Sequence, residues 1–217
     1  MADSLLMQFT GPMQSWGTQS LYEVRDTSRE PSKSGVIGLL CAALGRPRRE
    51  DTSDLASLVM GIRVDVEGHL EKDYQTIQTL SVHGRVEGTL TSRRYYLAGA
   101  TFLVGLEGPD TLLAQINHAL HHPVWMLSLG RKAFPPSLPI WLPDGLRRGE
   151  TIESALRGYP WLGRTGPTPA RLRLVLEDPR GAESRSDVPL SFAKRSFALR
   201  RLHTEFVLTP STIKEVA

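Results

Sequence analysis

The chain has 217 residues, 40% apolar and 23% charged, which is the ordinary globular range and excludes both a disordered polymer and a fibre. Its net charge of +3 is modest, but 21 of its 26 basic residues are arginine and only Lys33, Lys72, Lys132, Lys194 and Lys214 are lysine. Arginine forks match phosphate geometry and stack on bases, so nucleic acid is the natural partner class, with a GC-rich coding bias as the plainer source of the same excess. The one cysteine, Cys41, rules out an internal disulfide framework and a Cys-rich zinc site, which makes a reducing cytoplasm the expected compartment. No signal peptide is expected at the start, and no apolar run approaches the roughly 18 residues of a membrane span.

Leu5, Met7 and Phe9 alternate with other neighbours and predict a strand over residues 4–9. The segment from Thr10 to Ser32 has no sustained period, and a loop that long inside a domain is usually functional or disordered. Ser32 or Ser34 can cap a helix that runs to about Leu44 and stops at Gly45 and Pro47. Asp54 predicts a short helix through Met60, followed by a strand on Ile62, Val64 and Val66. Residues 74–80 and 94–106 read as extended, Asp110 caps a helix carrying Leu112, Leu113, Ile116 and Leu120, and Val124 to Leu129 reads as a strand.

The order β, α, β, β, α, β predicts an α+β, ferredoxin-like domain over residues 1–130, with residues 131–217 as a smaller, β-rich unit packed on it. The second unit is expected to hold a helix near Thr151 to Arg157 and strands near Arg171 to Glu177 and Phe197 to Leu208. Such a scaffold hosts many functions, and the aromatic strand signature of RNA-recognition modules is absent, so RNA would be bound by loops and edges.

Catalytic signals are weak. Walker and dinucleotide loops are missing, and no metal or cofactor is expected, since the neighbours His121 and His122 lack an acidic partner at ligand spacing. A metal-independent ribonuclease would need a general base, for which His83, Tyr95, Tyr96 and His203 are the available types. Binding fits better. Residues 81–94, "SVHGRVEGTLTSRR", read as a protruding hairpin carrying His83, Arg85, Arg93 and Arg94. "LGRKAF" sets Arg131 and Lys132 just after a glycine, where backbone amides and two cations can hold a phosphate. "AKRSFALRR" sets Lys194, Arg195, Arg200 and Arg201 around Phe192 and Phe197, basic with interleaved aromatics. Each cluster is also compatible with a solvated face, but three in one chain point to a shared acidic partner.

The stretch "GPMQSWGTQSLYEVRDTSREPSKSGVIGLLCAALGR", residues 11–46, resembles the N-terminal signature of CasD-type subunits of Cascade, the fifth-numbered Cas family in its subtype I-E form. The match includes Gly11 to Gly17, Arg25-Asp26-Thr27, Pro31 and Lys33 through Leu40, and "LGRKAFPP" and "DVPLSFAKRSFALRR" resemble later segments of that family. The resemblance implies a RAMP-superfamily subunit that holds the 5′ handle of the CRISPR RNA in a ribonucleoprotein complex for antiviral defense. It also implies a hairpin thumb, here residues 81–94, on that RNA and on the backbone subunit CasC. The large subunit CasA is expected to dock nearby, with target DNA reached through the complex. On this resemblance Arg25 and Lys33, with the backbone at Ser34 and Gly35, are expected at handle phosphates and bases, while Trp16 either stacks on a base or anchors the loop. A related branch, of subtype I-C, cleaves CRISPR RNA with a tyrosine and a lysine-histidine pair. No Lys-His dipeptide occurs here, so binding without cleavage is expected.

Overall fold

In the computed structural model, which describes residues 2–17, 23–164 and 166–210, the chain opens with the alternating strand β1 (Asp3–Thr10). Two short strands follow, β2 (Met13–Gln14) and β3 (Val24–Arg25), and residues 18–22 of the long loop between them lie outside the described residues. Helix α1 (Lys33–Leu44) begins where Ser32 Oγ accepts from the Gly35 N–H at 3.3 Å. It ends at Gly45, whose φ of 73° no β-carbon favours, with the Arg46 N–H returning to the Cys41 carbonyl at 2.9 Å. Most of α1 is apolar on every side and buried, as a helix covered from several directions must be.

Helix α2 (Ser53–Ala56) is shorter than expected and starts from Thr52, because the Asp54 carboxylate is held by both terminal nitrogens of Arg46 at 2.7 Å and Val59 already belongs to a strand. Next come β4 (Val59–Val66), β5 (His69–Leu80), β6 (Val86–Ala98), β7 (Thr101–Gly108) and α3 (Asp110–His121). The remainder is β8 (Trp141–Arg147), α4 (Ile152–Gly158), β9 (Arg171–Glu177), β10 (Glu183–Ser191) and β11 (Ser196–Leu208). The result is a mixed α/β chain dominated by sheet. Among the described residues no helix is long and apolar enough to cross a membrane.

Seven strands form one sheet in the order β10-β11-β9-β4-β7-β1-β8. On one face Leu5, Met7 and Phe9 of β1 join Ile62, Val104 and the apolar sides of α1 and α3 in the larger core. On the other face Leu6, Leu103, Leu172 and Leu174 pack under α4 with Trp161. β1 and β4 with α1 and α3 above them are elements expected, but the extended stretch expected over 94–106 divides at Gly99, φ 68°, into the end of β6 and β7, and the strand beside β1 is β8 rather than Val124–Leu129. That segment is irregular, because the N–H groups of Val124 and Trp125 are spent on the Ala43 and Ala42 carbonyls at the end of α1. β8 carries Pro143 and sits at the sheet edge, the place a strand proline is tolerated. β9 pairs with β4 and β8 with β1, so the sheet runs through both sides of the boundary expected near residue 130.

β5 and β6 form a long hairpin ribbon outside this sheet, paired from His69↔Ala98 to Leu80↔Val86, and β2 and β3 also pair with β6 to make a second, four-stranded sheet. The hairpin is therefore longer than the expected 81–94, whose residues 81–85 are only its turn. Its outer part buries little, with Leu80 and Val86 more than half exposed and Val82 97% exposed.

Candidate nucleic-acid interface

The loop after β1 is tied down residue by residue. Gln14 is buried, and its Nε2 donates to the carbonyls of Phe9 at 3.2 Å and Ala100 at 2.8 Å, while its Oε1 accepts from Trp16 Nε1 at 3.2 Å. Trp16, 1% exposed, stacks on Phe9 with ring centroids 5.6 Å apart and an interplanar angle of 19°. It also lies so close to α1 that a β-carbon on Gly35 would stand 2.8 Å from Trp16 Cε3. Of the two roles open to Trp16, the anchor is the one its burial fits. Farther along, β3 lies parallel to β6, with Val24 beside Arg93 and Arg25 beside Arg94, and the Arg93 N–H reaches the Glu23 carbonyl at 2.8 Å.

These constraints open a cleft of about 730 Å³ between the loop, the start of α1 and the turn joining β10 to β11. Arg25, Arg48, Arg131 and Arg195 line it, with Asp26 as its carboxylate among the lining residues. Arg131 follows Gly130, whose φ is 90° and whose β-carbon position falls 1.8 Å from the Ser15 carbonyl oxygen, so only glycine lets the two segments meet. From there Arg131 Nη2 donates to the Tyr95 carbonyl at 3.0 Å and the Arg25 carbonyl at 3.3 Å, joining the ribbon root to the loop. Burial, with the like charges of Arg25 and Arg94 added, pulls the Arg131 guanidinium below its ordinary range. A cleft in which cations are crowded in this way favours an anion.

Five of the expected residues therefore meet in one place: Arg25, Ser34, Gly35, Arg131 and Arg195. Arg94 stands beside Arg25 at the ribbon root, and Arg93 is exposed next to it. Lys132 and Lys194 are exposed neighbours of lining residues, while His83 and Arg85 sit on the ribbon turn, away from the cleft. Arg48 was not singled out from sequence. It belongs to the segment after α1, and its Nε donates to the Phe192 carbonyl at 3.0 Å, a contact between residues 144 apart.

Two expected contacts are corrected by burial. Lys33 is 2% exposed, and its ammonium lies 2.9 and 3.1 Å from the two carboxylate oxygens of Glu177. Arg200 is also buried, with Nε and Nη2 on the two oxygens of Asp187 at 2.6 and 2.9 Å. The Lys33 backbone N–H donates to the same Asp187 carboxylate at 2.8 Å, so the anion at the start of α1 is supplied by the chain itself. Burial pulls the Lys33 ammonium below its ordinary value even with Glu177 beside it. Burial pushes the Asp187 carboxyl up, but Arg200 and the Lys33 N–H more than offset this and leave it below the ordinary carboxylate range. The four groups lock α1 to β9, β10 and β11 beneath the cleft.

None of the four candidate general bases is among the residues lining the cleft. His83 is on the ribbon turn, His203 is exposed on β11, and Tyr96 packs its ring against Phe134 at 5.9 Å. Tyr95 meets Ser15 and Arg131 through its carbonyl. Among the described residues no group of three or more His, Cys, Asp or Glu converges as a metal site.

The family model for CRISPR-associated protein (Cas_Cas5) matches residues 4–203. The chain belongs to this CRISPR-associated Cas5 family. It is 30% identical over 185 residues to the CRISPR system Cascade subunit CasD of Escherichia coli (strain K12), a match spanning 75% of this chain and 80% of that one. Among solved structures, one titled as a crystal structure of a Cas protein is 44% identical with a TM-score of 0.80, covering 96% of this chain and 98% of that one. A chain of a CRISPR RNA-guided surveillance complex is 31% identical with a TM-score of 0.76, covering 95% of this chain and 91% of that one.

Proposed function

We propose that this Cas5-family chain is an RNA-binding subunit of a CRISPR RNA-guided surveillance complex that holds the 5′ handle of the CRISPR RNA without cutting it. The observation that carries this reading is the convergence of Arg25, Arg48, Arg131 and Arg195 on one cleft that runs into the ribbon root at Arg94. Arginine forks in a confined groove grip successive phosphates, and crowding of like charge is relieved when the polyanion arrives. The similarity to CasD and to a chain of an RNA-guided complex supports RNA rather than another polyanion.

Binding without cleavage is supported by the lining of the cleft, which includes none of His83, Tyr95, Tyr96 and His203, since a general base must stand within hydrogen-bond reach of the hydroxyl it activates. In this reading the exposed ribbon is the thumb that contacts the backbone subunit CasC, the large subunit CasA docks beside the cleft, and target DNA is met through the assembled complex in the cytoplasm. The test is recovery of CRISPR RNA with the affinity-purified complex. Arg25→Gln with Arg48→Gln is expected to reduce it several-fold, and unchanged recovery overturns the reading.

A further inference from the structure

Arginines alone would serve any polyanion. Three aromatic residues also line the cleft: Trp16 from the loop, and Phe192 and Phe197 from the β10–β11 hairpin. The two phenylalanines are half-buried, unlike Trp16, which is fully covered and spent on the core. Phe192 packs partly against the larger core, near Gly38 of α1, and still lines the cleft. Its carbonyl is held by Arg48, so the ring's mounting is fixed by a second lining residue.

The turn between the rings, residues 192–195, ends on Arg195 with φ 52°, the one non-glycine residue at positive φ among the described residues. Glycine or asparagine would hold that conformation more easily. Arg195 nevertheless lines the cleft, so its guanidinium is available to an anion held there.

We infer that Phe192 and Phe197 form a stacking surface for unpaired bases of the bound strand, with Arg48 and Arg195 taking the flanking phosphates. This rests on the RNA-binding reading above and goes beyond it by assigning the base contacts to these two rings and the flanking phosphate contacts to Arg48 and Arg195. Bases offer a π-face whatever their identity, so an aromatic surface between arginines holds a single strand in a way that a regular duplex, with its bases enclosed, does not allow.

The test uses the full chain and two fluorescent probes of about eight nucleotides, a length within the site sizes of single-strand binders. One is oligoadenylate, and the other is the same ribose-phosphate chain without bases. The parent is expected to bind oligoadenylate about tenfold more tightly than the abasic probe, and Phe192→Leu with Phe197→Leu to remove most of that difference while leaving the abasic affinity unchanged. Leucine keeps the apolar contacts, and an unchanged thermal midpoint establishes that the variant is folded. Arg195→Gly, which relieves the backbone, is expected to fold at least as well as the parent and to weaken both probes alike. Equal binding of the two probes by the parent, or an undiminished preference in the double leucine variant, overturns the stacking surface. Absence of salt-sensitive binding to either probe would instead overturn the RNA reading on which it rests.

Discussion

Lys33 Nζ stands 2.9 Å from Glu177 Oε2, facing into the protein rather than the cleft above it. Glu177 Oε2 is also 3.6 Å from Arg200 Nη1, and Arg200 pairs with Asp187, so two acids and two bases close on one another under the start of α1. Charges taken out of water in this way are costly to strand. Glu177→Gln, which leaves the buried ammonium with a neutral amide, is expected to destabilise the chain by about 3 kcal/mol in urea unfolding. Lys33→Met is expected to destabilise it less, because Arg200 remains on the carboxylate. Neither change should alter the RNA affinity of the folded protein, and a large loss of affinity with intact stability would return Lys33 to the binding surface.

Asp187 gives this network a pH signature. Its carboxyl is held below the ordinary value of 3.8 in the folded chain. A group with a lowered folded value stabilises the fold above its unfolded value, and the contribution disappears as pH falls through the folded one. The advantage of the parent over Asp187→Asn in urea midpoint is therefore expected to be full at pH 7 and to shrink below about pH 4. A constant gap across that range would mean that the carboxylate charge is not what matters.

Gly130 and Ser15 define the narrowest passage of backbone in the site. Gly130→Ala would place a β-carbon against the Ser15 carbonyl at a positive φ, and is expected to cost at least about 2 kcal/mol and to displace Arg131. Both the thermal midpoint and the RNA affinity should fall together. A variant as stable as the parent would show that the two segments separate easily.

Cys41 offers an internal probe of opening. Burial in the core pushes its thiol up to about 11, so little thiolate forms at neutral pH. Alkylation at pH 8 is expected to be slow in the native chain and fast in denaturant, with a native rate that tracks the unfolding equilibrium. Rapid labelling without unfolding would contradict the packing of α1.

Sequence reading reached the elements whose local signals agree with their environment. α1 is legible from a serine cap, Ser32 or Ser34, and the stop at Gly45, and the structure takes Ser32; Arg171–Glu177 reads as a strand and is β9. The ribbon was underestimated because its strands pack against little, which removes the alternation that marks a half-buried strand. Val124–Leu129 misled for the opposite reason, having strand-like residue types whose amide donors are used by a helix end. Of the arginines lining the cleft, Arg25, Arg131 and Arg195 stand out in the sequence as candidates beside turns and loops. Lys33 looked equivalent, and nothing local distinguishes a lysine that meets phosphate from one whose carboxylate arrives 144 residues later. Arg48 was hidden by the same distance, its place being set by Phe192.

The most direct test of the central claim is the salt dependence of binding to labelled repeat RNA in EDTA, followed with RNA integrity in one gel. Intact RNA whose affinity falls steeply with salt is predicted, with the slope of log K against log salt reduced by about 0.7 for each of Arg25→Gln and Arg48→Gln. Discrete cleavage products, or an affinity indifferent to salt and to both substitutions, would contradict a non-cleaving arginine cleft that holds RNA by its phosphates.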